Sequence, residues 1–128
     1  MYIVNKYNPI VEIRLGVGLY QFNSQSSTGK TWLYNCLKDF SLAGENVVAY
    51  TYNDYLQNVS LLHLLKNKSP EVVLIDRYDM YLGEFKDLIL ELSKTAIVLV
   101  DCKQMLPFGR FDNVCGIVLE DGKIEVYG

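Results

Sequence analysis

Gly29-Lys30-Thr31 is a tripeptide whose residue types and order suit phosphate chemistry. It closes a polar stretch, Ser24-Gln25-Ser26-Ser27-Thr28, and opens a segment of helical periodicity that begins Lys30-Thr31-Trp32. A loop whose backbone N–H groups converge on a helix N-terminus offers an anion several donors and the positive end of the helix dipole. In that setting Lys30 adds charge opposite the outer phosphates of a nucleotide, and the Thr31 hydroxyl reaches Mg²⁺. Ser24 through Trp32 is therefore the expected nucleotide-binding segment. The structural alternative is an ordinary helix start, with Thr28 as cap and Lys30 in solvent.

A phosphate loop needs a second half, an acid at the end of an apolar strand that holds Mg²⁺ directly or through water. Val72-Val73-Leu74-Ile75-Asp76 has that form, so Asp76 and Thr31 are the expected metal ligands. Phosphoryl transfer also needs a group that orients the attacking nucleophile. Asp101, which ends the next apolar strand, ranks first for that role, and Asp79 ranks ahead of Glu84. A helix cap for Asp79 and a solvated strand end for Asp101 are the competing readings. Arg77 and Arg110 are candidates for phosphate contact, with an ordinary surface position as the alternative. The lone histidine, His63, has no paired ligand or base near it in the sequence and is expected on a helix surface or in the core.

The elements that must position these residues alternate along the chain. VEIRL at 11–15 alternates apolar and polar, GVG interrupts, and LYQF at 19–22 leads into the polar loop. Trp32, Leu33, Cys36, Leu37 and Phe40 then recur at helical spacing, with Gly44 as the stop. NVVAY at 46–50 reads as a buried strand, followed by a helix with Leu56, Val59, Leu62 and Leu65 on one face. VVLID at 72–76, a helix carrying Leu82, Phe85, Leu88, Ile89 and Leu92, and AIVLV at 96–100 complete the alternation. Continuous apolar strands separated by helices predict a parallel sheet covered on both faces. CGIVLE and KIEVY, joined by Asp121-Gly122, predict a hairpin on a two-residue turn. The expected fold is thus α/β, a mostly parallel sheet flanked by helices with antiparallel additions at its ends. Ligands of such sheets sit at the carboxyl ends of the strands.

Length and composition bound the rest. A chain of 128 residues, half of them hydrophobic and 21% charged, is one globular domain spanning residues 1–128. No apolar run approaches the ~20 residues of a membrane span, and the start, MYIVNKYNPI, has no signal-peptide pattern. The three cysteines, Cys36, Cys102 and Cys115, show neither paired nor zinc-type spacing, which suggests reduced thiols and a cytoplasmic protein. A net charge of −3 speaks against broad nucleic-acid or membrane surfaces. Tyrosine occurs ten times, and Tyr50, Tyr52, Tyr55, Tyr78 and Tyr81 fall near two strand ends. They are candidates for base stacking, for a partner-binding patch, or for simple rim packing. The loop 103–113 carries Met105, Leu106, Phe108 and Phe111 and must pack down or meet a partner.

These features together resemble a P-loop NTPase with Walker A and Walker B elements in order, and most of all the nucleotide-binding core of ABC-type ATPases. LGVGLYQFNSQSSTGKTWL is similar to that family's strand, loop and helix start. VVLIDRYDMYL sits where the family has its Walker B strand, and NVCGIVLEDGKIEVYG is similar to its closing hairpin. The resemblance implies Mg²⁺ and a nucleotide, with ATP preferred to GTP. Departures are plain. Ser24 and Ser27 stand where the family has glycines, Arg77 replaces the glutamate that polarises water, and Asp101 falls at the switch-histidine position. The helical subdomain has no counterpart. The expected function is nucleotide binding with weak or partner-dependent hydrolysis, a switch or regulatory module working with a protein partner or a second copy. A nucleotide-free pseudo-NTPase adaptor or inhibitor is the alternative. A small nucleotide kinase is a further one, because Asp76-Arg77-Tyr78 is similar to a motif of thymidylate kinases.

Overall fold

The computed structural model describes residues 2–5, 10–22, 30–42, 46–66, 69–76, 86–101, 114–120 and 122–128. Eight strands form one sheet: β1 (Tyr2–Asn5), β2 (Ile10–Arg14), β3 (Gly18–Phe22), β4 (Val47–Tyr50), β5 (Val72–Ile75), β6 (Ile97–Val100), β7 (Val114–Glu120) and β8 (Lys123–Tyr127). The helices are α1 (Lys30–Leu42), α2 (Tyr52–Leu56), α3 (Leu61–Leu65) and α4 (Lys86–Leu92). The strand order is β1-β2-β8-β7-β3-β6-β5-β4.

From β7 to β4 every pairing is parallel, and β4, β5 and β6 are buried along their whole length. That burial explains their unbroken Val, Ile, Leu runs, because each face of such a strand meets a helix layer. Alternation assigns the faces. Leu33, Tyr34, Cys36 and Leu37 of α1 pack with Phe22, Val47, Ala49, Val72, Leu74, Ile97 and Leu99. Leu61 of α3 and Ile89 of α4 pack on the opposite face with Leu19, Val48, Tyr50, Val73, Ile75, Val98 and Val100. The order requires this. The connection β3–α1–β4 steps out to the edge strand, whereas β4 to β5 and β5 to β6 step back toward β3. Right-handed crossovers running in opposite directions place their helices on opposite faces.

The antiparallel part lies at one end of the sheet, not at both. Among the described residues β7 pairs with β3 through Val114 and Cys115, then leaves to pair antiparallel with β8 from Gly116 to Glu120. A side chain on Gly116 would meet the Tyr127 hydroxyl at 2.9 Å, and the exposed Tyr127 ring would have to shift to admit it. The hairpin forms as the sequence suggests, with Gly122 at φ +76° and Glu120 paired with Lys123. β8 also pairs in parallel with β2, which pairs antiparallel with β1. Val11, Ile13, Ile124 and Val126 join the cluster around α1, so this end of the sheet curls over the helix.

The outer face of the curl is polar. Glu12 and Glu125 lie directly opposite each other, a repulsive pairing. Arg14 bridges both at 3.0 and 3.1 Å, and Lys123 holds Glu12 at 2.7 Å. The hydrogen bond from Lys123 lowers the Glu12 pKa, desolvation opposes it, and the Arg14 charge adds to the lowering. The same bond raises the Lys123 pKa. Stabilisation through Glu12 is therefore whole above the ordinary glutamate value of 4.5 and disappears as pH falls through the lowered folded value. Stabilisation through Lys123 is whole below 10.5 and disappears as pH rises through the raised one. In urea titrations, Glu12→Gln is expected to lower the midpoint at pH 7, with the deficit closing in strong acid; a deficit that persists there would contradict the ion-pair assignment.

The helix expected after β4 is in fact two short ones. Asn58 takes φ +59° between them, Thr51 and Asp54 form a capping box at the start of α2, and Ser60 caps α3. The predicted apolar face is lost: Leu56 is 60% exposed and Leu62 is 62% exposed, while Leu61 is buried. A β-branched residue in the left-handed region costs about 1–2 kcal/mol. Asn58→Val should therefore lower stability by that amount and Asn58→Gly should not, as read from urea midpoints. On α1, Leu33, Cys36 and Leu37 are buried as expected, but Trp32 is 43% exposed. Leu82 and Phe85 lie outside the described residues. Among the described residues no helix is long and apolar enough to cross a membrane.

Candidate functional site

Three expected site elements converge on the carboxyl edge of the parallel sheet. The chain leaves β3 at Phe22 and enters α1 at Lys30 and Thr31, so the backbone of these two residues forms the first turn of the helix. Asp76 follows β5 directly, and Asp101 follows β6, the strand between β5 and β3. Both acids still donate into the ladder. The Asp76 amide donates to the Tyr50 carbonyl at 2.9 Å, and the Asp101 amide donates to the Ile75 carbonyl at 2.9 Å.

The register sets their level and their face. Ile75 pairs with Val100, so Asp76 and Asp101 stand side by side on adjacent strands. Gln21 pairs with Val100, which sets Phe22 beside Asp101, and Tyr50 pairs with Ile75, which sets Thr51 beside Asp76. Leu74 and Leu99 face α1, and residues two apart on a strand share a face. Asp76 and Asp101 therefore fall on the α1 side, half-buried, in one row with Thr51 and Phe22. Neighbouring strands are separated by ~4.8 Å, so β5 and β3 are roughly 10 Å apart with Asp101 between them.

This edge is also where the sheet reverses its winding. The helix after β3 covers one face, and the helices of the next two crossovers cover the other. Ligands of α/β sheets bind at the carboxyl ends of the strands beside such a reversal.

A Mg²⁺ ion in a phosphate site takes one or two protein carboxylates and completes its six-oxygen shell with water and phosphate. Asp76 and Asp101 bring two aspartates to adjacent strand ends on the α1 face. Among the described residues there is no group of three or more His, Cys, Asp or Glu residues that would cage a metal alone. A metal held here would thus depend on oxygens from a ligand.

The other sequence candidates distribute differently. Ser24, Gln25, Ser26, Ser27, Thr28 and Gly29 lie outside the described residues, as do Arg77, Tyr78, Asp79, Tyr81, Glu84, Cys102 and the loop 103–113. Tyr50 is unsuited to stacking on a base. It is 2% exposed, and its hydroxyl donates to the Val59 carbonyl at 2.7 Å, so it is a core residue beneath α3. Tyr55 is half-buried against the same cluster. His63 is exposed on α3. Cys36 and Cys115 are buried, and desolvation, with the Asp39 charge, raises the Cys36 pKa.

A feature that sequence reasoning missed is Lys38. Its ammonium donates to an Asp54 carboxylate oxygen at 2.8 Å and to the Ala49 carbonyl at 3.2 Å, tying α1 to the end of β4. The signal was faint, a lysine on a helix otherwise read for its apolar face.

No protein-family model, curated protein or solved structure matches this chain.

Proposed function

We propose that the chain is a P-loop-type protein that binds a nucleoside triphosphate, ATP or GTP with ATP the first expectation, together with Mg²⁺ at the carboxyl edge of its parallel sheet. The observation that carries this reading is the row formed by Asp101 and Asp76 on the face of α1, at the edge where that helix begins with Lys30 and Thr31. In this reading the segment from Ser24 to Trp32 wraps the phosphates, and the Lys30 charge meets the outer ones. Thr31 and Asp76 would hold Mg²⁺, which neutralises phosphate charge. Asp101, one strand closer to β3, would accept a hydrogen bond from an attacking water. Asp79 remains the second candidate for that role.

Turnover is expected to be slow. Ser24 and Ser27 bring Cβ atoms where glycine lets the backbone approach a phosphate closely. Arg77 cannot serve as the base that a glutamate would provide there. Binding without fast hydrolysis suits a switch whose output passes to a protein partner. Leu56 and Leu62, exposed near the α2–α3 corner, favour a partner-binding adaptor as the second reading.

Trp32 is the chain's single tryptophan, exposed in the first turn of α1, and it provides an intrinsic reporter. Titration of Mg-ATP and Mg-GTP should change its fluorescence with micromolar affinity, and calorimetry should agree. Absence of binding to either nucleotide by folded protein would refute the nucleotide reading and leave the adaptor.

A further inference from the structure

We infer that Lys38, Asp54 and Thr51 form a positioning clamp that sets the N-terminal turn of α1 against Asp76; the inference rests on the nucleotide reading above and adds to it how the two halves of the site are held together. The contacts run without a gap. From α1, the Lys38 ammonium reaches the Asp54 carboxylate at 2.8 Å and the Ala49 carbonyl at 3.2 Å. The same Asp54 oxygen accepts from the Thr51 amide at 3.0 Å and from the Thr51 hydroxyl at 3.1 Å. Thr51 follows Tyr50, whose carbonyl accepts the Asp76 amide at 2.9 Å. One carboxylate thus joins α1 to the end of β4, and a ladder hydrogen bond links that strand end to the metal-side aspartate after β5.

The arrangement has the attributes of a fixed joint. Lys38 and Asp54 are largely removed from solvent, with side chains 26% and 12% exposed, so their attraction is screened far less than that of a surface pair. Helical side chains lean toward the helix N-terminus, so Lys38 points back along α1 toward the carboxyl edge of the sheet. Apolar packing alone allows α1 to slide or rotate slightly over the sheet. A charge-assisted hydrogen bond to a capped helix start resists such movement because it is directional. Lys38 and Asp54 touch neither nucleotide nor metal in this scheme and act through α1 and β4.

Loss of a merely stabilising ion pair would lower stability and leave the site's response to metal unchanged. A positioning clamp predicts a specific loss, in how much Mg²⁺ strengthens nucleotide binding. The measurement is ATP affinity, read from Trp32 fluorescence, with Mg²⁺ present and with Mg²⁺ chelated, at temperatures where circular dichroism shows each variant folded. In Lys38→Met and Asp54→Asn the Mg²⁺-dependent gain should fall about tenfold, and Lys38→Arg should keep it within about twofold. Thr51→Val, which removes only the hydroxyl bond, should lose less in the same direction and serves if the stronger variants do not fold. An unchanged gain in Lys38→Met or Thr51→Val, with wild-type protein binding Mg-ATP, overturns the clamp alone. Failure of the wild type to bind overturns both the nucleotide reading and the clamp.

Discussion

Replacing Lys30 by alanine is expected to reduce Mg-ATP affinity by roughly 10- to 150-fold, the largest functional effect of any single substitution in the chain, since a charge-assisted contact is worth about 1.5–3 kcal/mol. The ammonium would be the positive side chain of an otherwise hydroxyl- and amide-rich segment from Ser24 to Thr31. The measurement is the titration of Trp32 fluorescence. Asp76→Asn gives the complementary result: ATP affinity without metal should persist, because the substitution removes only a carboxylate, while the strengthening by Mg²⁺ should disappear. If Lys30→Ala binds Mg-ATP as wild type does, the loop does not hold phosphate. The row of aspartates would then need another explanation. If Asp76→Asn responds to Mg²⁺ like wild type, the metal is held elsewhere, and Asp101 becomes the residue to vary next.

The largest effect on stability is expected from Leu37→Ala. Leu37 is fully buried in α1, in the cluster that joins the parallel strands to Val11, Ile13, Ile124 and Val126 of the curled end. Among the described residues β3 and β7 join the two parts of the sheet through two residue pairs, so α1 supplies much of the cohesion between them. Removing a buried leucine side chain costs its transfer free energy and leaves a cavity, about 3–5 kcal/mol together. Domains have only ~5–15 kcal/mol in total, so urea denaturation of Leu37→Ala should start in very low denaturant. Leu62→Ala, at an exposed site, should shift the midpoint little. Equal shifts for both would mean that α1 does not carry the joint.

What the sequence disclosed follows from the range of the physics. Strands β4, β5 and β6 were legible because burial on both faces demands continuous apolar runs, and the closing hairpin because Asp121-Gly122 suits the turn it must make. The start of α1 was legible from local chemistry. The break between α2 and α3 was not. Leu56, Val59, Leu62 and Leu65 keep helical spacing by coincidence, and the left-handed Asn58 that ends the periodicity has no strong local mark. β1 escaped notice because Tyr-Ile-Val-Asn holds a shorter aliphatic run than the Val, Ile and Leu runs of β5 and β6. Asp76 and Asp101 could each be singled out as strand-end acids. Their placement side by side on the α1 face depends on strand order and register, which arise from pairing between distant segments.

The two margins of the sheet are guarded in different ways. At β4, the carbonyls of Asn46 and Tyr50 accept bonds from the β5 side, so alternation turns the Ala49 carbonyl outward. The Lys38 ammonium covers it at 3.2 Å. At the opposite margin, the pairing of β1 with β2 slips between Ile3 and Asn5, and a bulged edge twists away from regular pairing. A row of unpaired peptide groups is a template for another chain, and a lysine or a bulge at the edge spoils that template. Loss of Lys38 therefore has a consequence apart from any ligand. It bares a carbonyl on a strand of Val-Val-Ala-Tyr, a composition suited to cross-chain stacking, and Lys38→Met protein should form fibrillar aggregates sooner than wild type on storage at high concentration.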